Sequence, residues 1–485
     1  MNKKIKETLT SILTEKNITF LLGAGTSAPF FSSLGNLENV LTHSGISENG
    51  RLLVRSIFYE KSIAKNSYLL DYTNDQLLND NDGKQMLSIL FEYKRFIHNI
   101  IEYLKVRNSR VSPKRVNIIT TNYDLFIETA MDDILVDNPR VHFNDGTNGY
   151  LRRILQTDNF NKTLLYSGVF DNYSNEMPTI NLIKCHGSIN WKEYYSSHDS
   201  KKRIQIQTRT ENIYDLNNKI DSLYVGIDNF MAELNVDVDE IDDFIFDDEE
   251  VFEYDLHSID DLISIIDIEE PIDIENDINL IGDKFEEELI EISKLLEDIQ
   301  IVYPTKKKFE STLVNEYYFG LLRLLSYELE KEQSTLVVFG FSFYDEHITE
   351  IVQRSLNNPN LIVIIFCYTD ESKDLIISNF NFTCNSIPNN VHFITPNDFI
   401  EEVIDLESYK EKYSDLNLSN DNITYNEEDV TIYSSEVSIV NIAGNPSYAV
   451  LNFDSLNDIL ESEISNKYFV KEKKTIFYED GDIVE

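Results

Sequence analysis

Short runs of consecutive apolar residues recur along this chain, each closed by glycine or a polar cluster, and they alternate with stretches of helical period. The runs are Ile18 to Leu22, Val116 to Thr121, Ile180 to Cys185, Thr335 to Phe341, Leu361 to Cys367 and the shorter Val391 to Ile394. Between them the 3.6-residue period predicts helices. The first lies over residues 4 to 16, where Ile5, Leu9, Ile12 and Leu13 share a face. A new helix is expected after the glycines that follow Leu22, and a long one over Met86 to Leu104. Others are expected over Leu125 to Asp132, Glu346 to Leu356 and Ser372 to Phe380, and from Asn397 onward. Apolar strands alternating with helices are what a parallel sheet requires when both of its faces are buried. The expected fold class is therefore α/β, a Rossmann-like parallel sheet covered by helices on both faces.

Two regions interrupt the alternation. From Asp228 to Asp298 there are 28 acidic residues and 2 lysines, a net of about −26 out of the chain's −43. Isoleucine, leucine and phenylalanine are interleaved there, as in Ile241-Asp242-Asp243-Phe244-Ile245-Phe246, which argues against a plain acidic tail. An inserted, partly helical segment with a solvated acidic face is one reading; a nucleic-acid mimic or a docking surface for a basic partner is the other. The second region begins near Glu407. Its alternating patches, Val430-Thr431-Ile432-Tyr433 and Ser438 to Ile442, predict a small β-rich module. The expected division is a nucleotide-binding domain over 1–405, with the acidic insertion at 228–298, and a C-terminal module over 406–485. On that division, removing the tail disturbs assembly or activation and leaves nucleotide binding intact.

Composition narrows the functional classes. Hydrophobic residues make up 42% of the 485, enough for a large core. The net charge repels phosphate backbones, so direct nucleic-acid binding is not expected, and an anionic membrane surface would not attract the chain. The longest apolar run is too short to cross a bilayer, and the N-terminal sequence lacks a secretory apolar stretch. The three cysteines, Cys185, Cys367 and Cys384, fit a reducing cytoplasm and cannot form a four-cysteine zinc site. No metal is expected.

Four polar segments stand at the ends of four apolar strands. Gly23-Ala24-Gly25-Thr26-Ser27-Ala28 can bring backbone N–H groups to a pyrophosphate, or can simply make a tight strand-to-helix turn. Thr120-Thr121-Asn122-Tyr123-Asp124 offers an amide and a carboxylate two residues apart, able to orient a carboxamide, a ribose or a water; local capping is the alternative. Lys184-Cys185-His186-Gly187-Ser188-Ile189-Asn190-Trp191 presents a histidine that can accept a proton near neutrality, unless it is structural. Gly340-Phe341-Ser342-Phe343-Tyr344-Asp345-Glu346-His347 suits a second ribose or phosphate contact, with Asp345 equally readable as a helix N-cap. Such strand ends converge on one crevice in open α/β sheets.

Taken in order, these motifs resemble the sirtuin family. The forms T-T-N-Y-D, H-G-S-I-N-W and G-F-S-F-x-D-E-H resemble its bacterial antiviral-defence branch, and in particular the sirtuin-like partner of HerA-type ATPases. The shared motifs span roughly residues 18 to 370. The resemblance implies that Gly23, Ala24, Gly25 and Ser27 hold the pyrophosphate and adjoining ribose of NAD⁺, with Thr121 also among the cofactor-binding residues. It implies that Asn122 positions the nicotinamide ribose and the attacking water, that Asp124 orients the carboxamide, and that His186 is the general base. Gly340 and Ser342 would contact the ADP-ribose half from the other side.

Two departures from the protein-deacylase branch bear on the reaction. Its G-I-P-D-F-R loop is replaced by Pro29-Phe30-Phe31-Ser32-Ser33-Leu34, and its zinc module has no counterpart. Without an acyl acceptor, water is the expected nucleophile, which makes the implied activity NAD⁺ hydrolysis to nicotinamide and ADP-ribose. By resemblance the protein is the toxic effector of an antiphage system that depletes NAD⁺, a homo-oligomer joined to a HerA-type hexameric ATPase. The alternatives are a module that senses NAD⁺ or an ADP-ribose derivative without turnover, and an ADP-ribosyltransferase.

Overall fold

The computed structural model describes residues 16–32, 35–71, 80–107, 113–167, 174–195, 202–208, 210, 212–239, 256–303, 316–380, 382, 387–399, 423–426, 429–432, 439–440, 446–447 and 450–468. Residues 4 to 15 of the expected first helix and the Ile241 to Phe246 run lie outside the described residues.

The apolar runs form one parallel sheet of seven strands: β1 (Asn17–Leu22), β2 (Arg115–Thr120), β3 (His142–Asn144), β4 (Thr179–Lys184), β5 (Ser334–Phe339), β6 (Ile362–Phe366) and β7 (Val391–Ile394). Their order across the sheet is β7-β6-β5-β1-β2-β4-β3. Side chains alternate across it. Ile18, Phe20, Leu22, Ile118, Leu182, Val337 and Phe339 enter one core, while Leu21, Ile119, Ile183, Leu336 and Val338 enter the other. Period-two alternation into two cores is why both faces of these strands are apolar.

The first core is closed by the helix Asn81–Val106 and the start of the helix Phe126–Asp137, the second by the helices Glu316–Glu330 and Glu346–Ser355. From Asn397 the structure shows only a 3₁₀ turn, Pro396–Phe399, before this described stretch ends. Beside the main sheet stands an antiparallel one of five short strands, built around Gly187–Tyr195 and Lys202–Ile206. It carries Trp191 over Tyr318 and was not anticipated as a unit.

In the acidic region the helices Ile259–Ile268, Pro271–Lys284 and Glu286–Leu296 bury Ile259, Leu262, Ile266, Ile274, Ile278, Ile281, Leu289 and Ile292 in the first core. The isoleucines and leucines recur at helical spacing, so the apolar stripe faces inward and most acids face out. Some acids bind the neighbouring layer: Asp267 pairs with Lys61 at 2.6 Å, and Glu275 meets His43 at 2.8 Å. This is a built helical layer against the helix Glu48–Tyr59.

The C-terminal range holds two antiparallel pairs, Ile423–Asn426 with Asp429–Ile432 and Ile439–Val440 with Pro446–Ser447, and then the helix Phe453–Tyr468. That helix lies on Asn81–Val106. Leu451, Phe453, Leu456, Ile459 and Leu460 join the first core, and Arg95 binds Asp454, Asp458 and Glu461 at 2.5, 2.7 and 3.0 Å. Residues 450 to 460 thus complete the α/β domain although they fall within the range read from sequence as a separate module.

Candidate active site

Register places the four motif-bearing strand ends side by side. Phe339 pairs with Leu22, Leu22 with Thr120, and Thr120 with Lys184. The next residues in each chain segment, Gly340, Gly23, Thr121 and Cys185-His186, therefore leave the sheet in one row. From β1 the chain runs to β2 on one side, while β5, β6 and β7 lie on the other. The glycine turn after β1 thus stands where the winding direction reverses, the usual ligand crevice of such sheets.

The glycine turn differs from its expected form. It opens a three-residue 3₁₀ turn, Ala24–Thr26, and the next helix begins only at Leu37. A turn this short supplies no helix dipole. Most of its donors are already spent. Gly23 N–H donates to Phe339 O and Gly25 N–H to Gly340 O, both at 3.0 Å, while the Thr26, Ser27 and Ala28 N–H groups donate within the turn. Ala24, exposed at the edge, is the donor outside this set.

The glycines also serve close approach between loops. Gly340 has φ +63°, and a Cβ there would come within 2.7 Å of Thr26 N and 2.9 Å of Gly25 C. Left-handed strain costs about 1–2 kcal/mol and overpacking about 1–3 kcal/mol. Gly340→Ala is accordingly expected to lower stability by about 3 kcal/mol and to force the two loops apart. Denaturant melts check this; an unchanged midpoint would mean that the two loops need not touch.

Beneath the turn lies a network of buried hydroxyls. Ser27, 1% exposed, donates to Asp124 Oδ2 at 2.7 Å and stands 2.9 Å from Tyr93 Oη. Tyr93 Oη donates to Thr26 Oγ1 at 2.8 Å, and Thr26 donates to Gly23 O at 2.7 Å. Asn122 Nδ2 lies 3.1 Å from each of Gly23 O, Thr26 Oγ1 and Ser27 Oγ. Ser27, Asn122 and Asp124, expected in one site from separate segments, are thus bonded to one another. Tyr93 and Thr26 join them without having been singled out, because nothing separates Tyr93 from the other apolar-face positions of its helix.

Burial raises the Asp124 carboxyl above its ordinary range, against the opposing pull of Lys184 and the Ser27 hydroxyl. A folded-state pKa above the unfolded value means that its stabilising contribution is present below about pH 4 and is lost as pH rises through the folded value. Asp124→Asn should therefore gain thermal stability relative to the natural protein as pH rises from about 4 toward neutrality. Parallel melting curves across that range would show that the carboxyl is not held this way.

Lys184, 3% exposed at the end of β4, spends its ammonium on the Asp124 carbonyl, on Ser188 Oγ at 3.0 Å and on Glu128 Oε1 at 2.7 Å. It ties the Asn122 loop to the His186 loop. A lysine closing an otherwise apolar strand was a legible sign of a buried acid partner.

His186, 8% exposed, sits where β4 passes into the antiparallel sheet, and its carbonyl accepts from Val302 N–H at 2.8 Å. Its Nε2 lies 3.1 Å from Asp345 Oδ2. Asp345 Oδ1 also accepts from the His347 and Ile348 N–H groups, so the expected N-cap and an unexpected partner of the histidine are one residue. The approach sets a carboxylate beside the imidazole. The adjacent Cys185 is fully buried, and burial pushes its thiol up to about 12, which rules it out as a nucleophile at neutral pH.

Thr121 and Asn122 are half-buried, and Ser342 is exposed two residues beyond Gly340, its carbonyl held by Asn379 Nδ2 at 2.7 Å. In the Pro29 to Leu34 run, Phe30 and Phe31 enter the core against Phe126, with ring centroids 5.8 and 6.1 Å away. Among the described residues no group of three or more His, Cys, Asp or Glu side chains is placed to hold a metal, and no helix is long and apolar enough to cross a membrane. No protein-family model matches the chain, and no curated protein matches it in sequence.

Proposed function

We propose that the protein is an NAD⁺ glycohydrolase that releases nicotinamide and ADP-ribose. The observation that carries this reading is the row of strand ends, which sets Gly23, Thr121, His186 and Gly340 side by side at the switch point of the sheet. There the rim residues Ala24, Gly25, Gly340 and Ser342 would hold the ADP-ribose half. Asn122 would orient the ribose and a water, Asp124 the carboxamide, and His186 would take the proton of the attacking water. Hydrolysis breaks the ribosyl–nicotinamide bond and forms a ribosyl–oxygen bond to water. The pocket's main contribution is to hold the ribose and place that water.

One observation favours a second reading, the binding of NAD⁺ or an ADP-ribose derivative without turnover. The Asn122 amide already serves three acceptors of the glycine turn, which is the work of a loop-bracing residue. By the same resemblance, the effector would assemble as a homo-oligomer with a HerA-type hexameric ATPase and act against phage in the cytoplasm.

Incubation of the purified protein with NAD⁺, alone and with a co-encoded ATPase, separates the readings. Stoichiometric nicotinamide and ADP-ribose support hydrolysis. Labelled protein in place of free ADP-ribose means transfer, and binding without release in either condition means sensing.

A further inference from the structure

The helix Phe126–Asp137 that follows the Asn122 loop lines a polar cavity of about 400 Å³, which faces the antiparallel sheet. Its walls include Glu128, Asp132, Asp145, Arg153, Asn190 and Thr210. None of these was assigned a role above except Glu128, through its bond to Lys184.

Three polar atoms there are buried without a hydrogen-bond partner: Glu128 Oε2, Asn190 Oδ1 and Thr210 Oγ1. Asn190 and Thr210 are 8% and 6% exposed, so bulk water does not satisfy them. A buried acceptor left unmet costs about 1–3 kcal/mol, and native interiors rarely carry several around one cavity. Such a cluster calls for a donor that the described residues do not supply.

The charge of the cavity says what kind. Arg153 is its cation among the described lining residues, and it is held by Asp145. Lys184 answers one oxygen of Glu128. At the mouth, Asp71 receives the Tyr214 hydroxyl at 2.6 Å, which leaves its charge in place. Asp71 thus remains without a cation among these pairings, and Asp132 shares Arg153 with Asp145; burial and then the neighbouring Asp133 raise the Asp132 carboxyl against the weaker pull of Arg153. An anion would be repelled, and a neutral polyol would leave that charge unanswered.

We propose that this cavity binds a small organic cation rich in N–H donors, an alkylguanidine or alkylamine. Its N–H groups meet Glu128 Oε2 and Asn190 Oδ1, and its charge is balanced by Asp132. A pocket of this volume is in the range that encloses a small molecule.

The test uses the full chain without NAD⁺, so it stands or falls apart from the hydrolase reading. Isothermal titration with agmatine should give binding tighter than about 1 mM, with sorbitol and inorganic phosphate giving none. Asn190→Leu and, separately, Asp132→Asn should each weaken agmatine binding about tenfold or more, as loss of a hydrogen bond or charge partner to a cation does. Asp132→Asn keeps shape and polarity, so it reads the charge even if Asn190→Leu unfolds the sheet. No agmatine binding at about 10 mM would overturn the proposal. So would equal binding of sorbitol, or agmatine binding untouched by Asp132→Asn.

Discussion

His186→Ala is expected to slow nicotinamide release by about 10²–10⁴-fold, the usual contribution of a positioned general base. That is roughly 3–5 kcal/mol of transition-state stabilisation, at 1.36 kcal/mol per decade. The loss should fall on kcat with KM little changed, because the imidazole would act on the attacking water and not on the ADP-ribose half. The fold should survive. Asp345 keeps its two backbone donors at the start of its helix when the histidine is gone. His186→Asn, which keeps a polar group beside Asp345 but is no base, should be as slow as the alanine variant if the base is what matters. Chromatographic quantification of nicotinamide under saturating NAD⁺ decides it. Turnover retained within a few-fold in both variants would remove His186 from the mechanism.

Deletion of residues 450–485 is expected to abolish cooperative folding. Leu451, Phe453, Leu456, Ile459 and Leu460 are each at most 6% exposed, and burying side chains of this size contributes about 1.5–3 kcal/mol apiece. Their sum is on the order of 10 kcal/mol, comparable with the whole net stability of a domain. Phe453 also packs on Tyr93 at 4.8 Å, and Tyr93 in turn bonds Thr26 and Ser27. NAD⁺ binding should therefore be lost with the fold. Near-ultraviolet circular dichroism and dye binding report that state. A truncated protein that melts cooperatively and still binds NAD⁺ would make the tail a separate module after all.

The sheet is legible in sequence because its strands are buried on both faces, which turns them into uninterrupted apolar runs; six of the seven can be read this way. The seventh, β3, has three residues, His142-Phe143-Asn144, too few for any period to show. The antiparallel sheet is obscured for a related reason. Gly187–Tyr195 mixes buried Ile189 and Trp191 with exposed Tyr195, and its partner strands are two to five residues long. The C-terminal helix is hidden by a polar composition in which the buried apolar positions Phe453, Leu456, Ile459 and Leu460 are mixed with buried Ser455 and Asn457. Within the site, each motif is recognisable by its place at a strand end. Its bonds are not. That Asp345 would face His186, or that Tyr93 would reach the glycine turn, follows from packing between segments far apart in the chain.

The backbone contact between the Gly23–Gly25 turn and Gly340 has a consequence for how the molecule is made. Strand β1 emerges from the ribosome more than 300 residues before β5, so one of its edges stays open until β5 has been synthesised. The glycine turn cannot close before the chain has passed residue 340, since Gly23 and Gly25 take their carbonyl partners from there. Pairing of this kind, between segments far apart in the chain, comes late in folding. During translation the crevice is thus completed late, and a nascent chain that has not passed residue 340 holds no finished site.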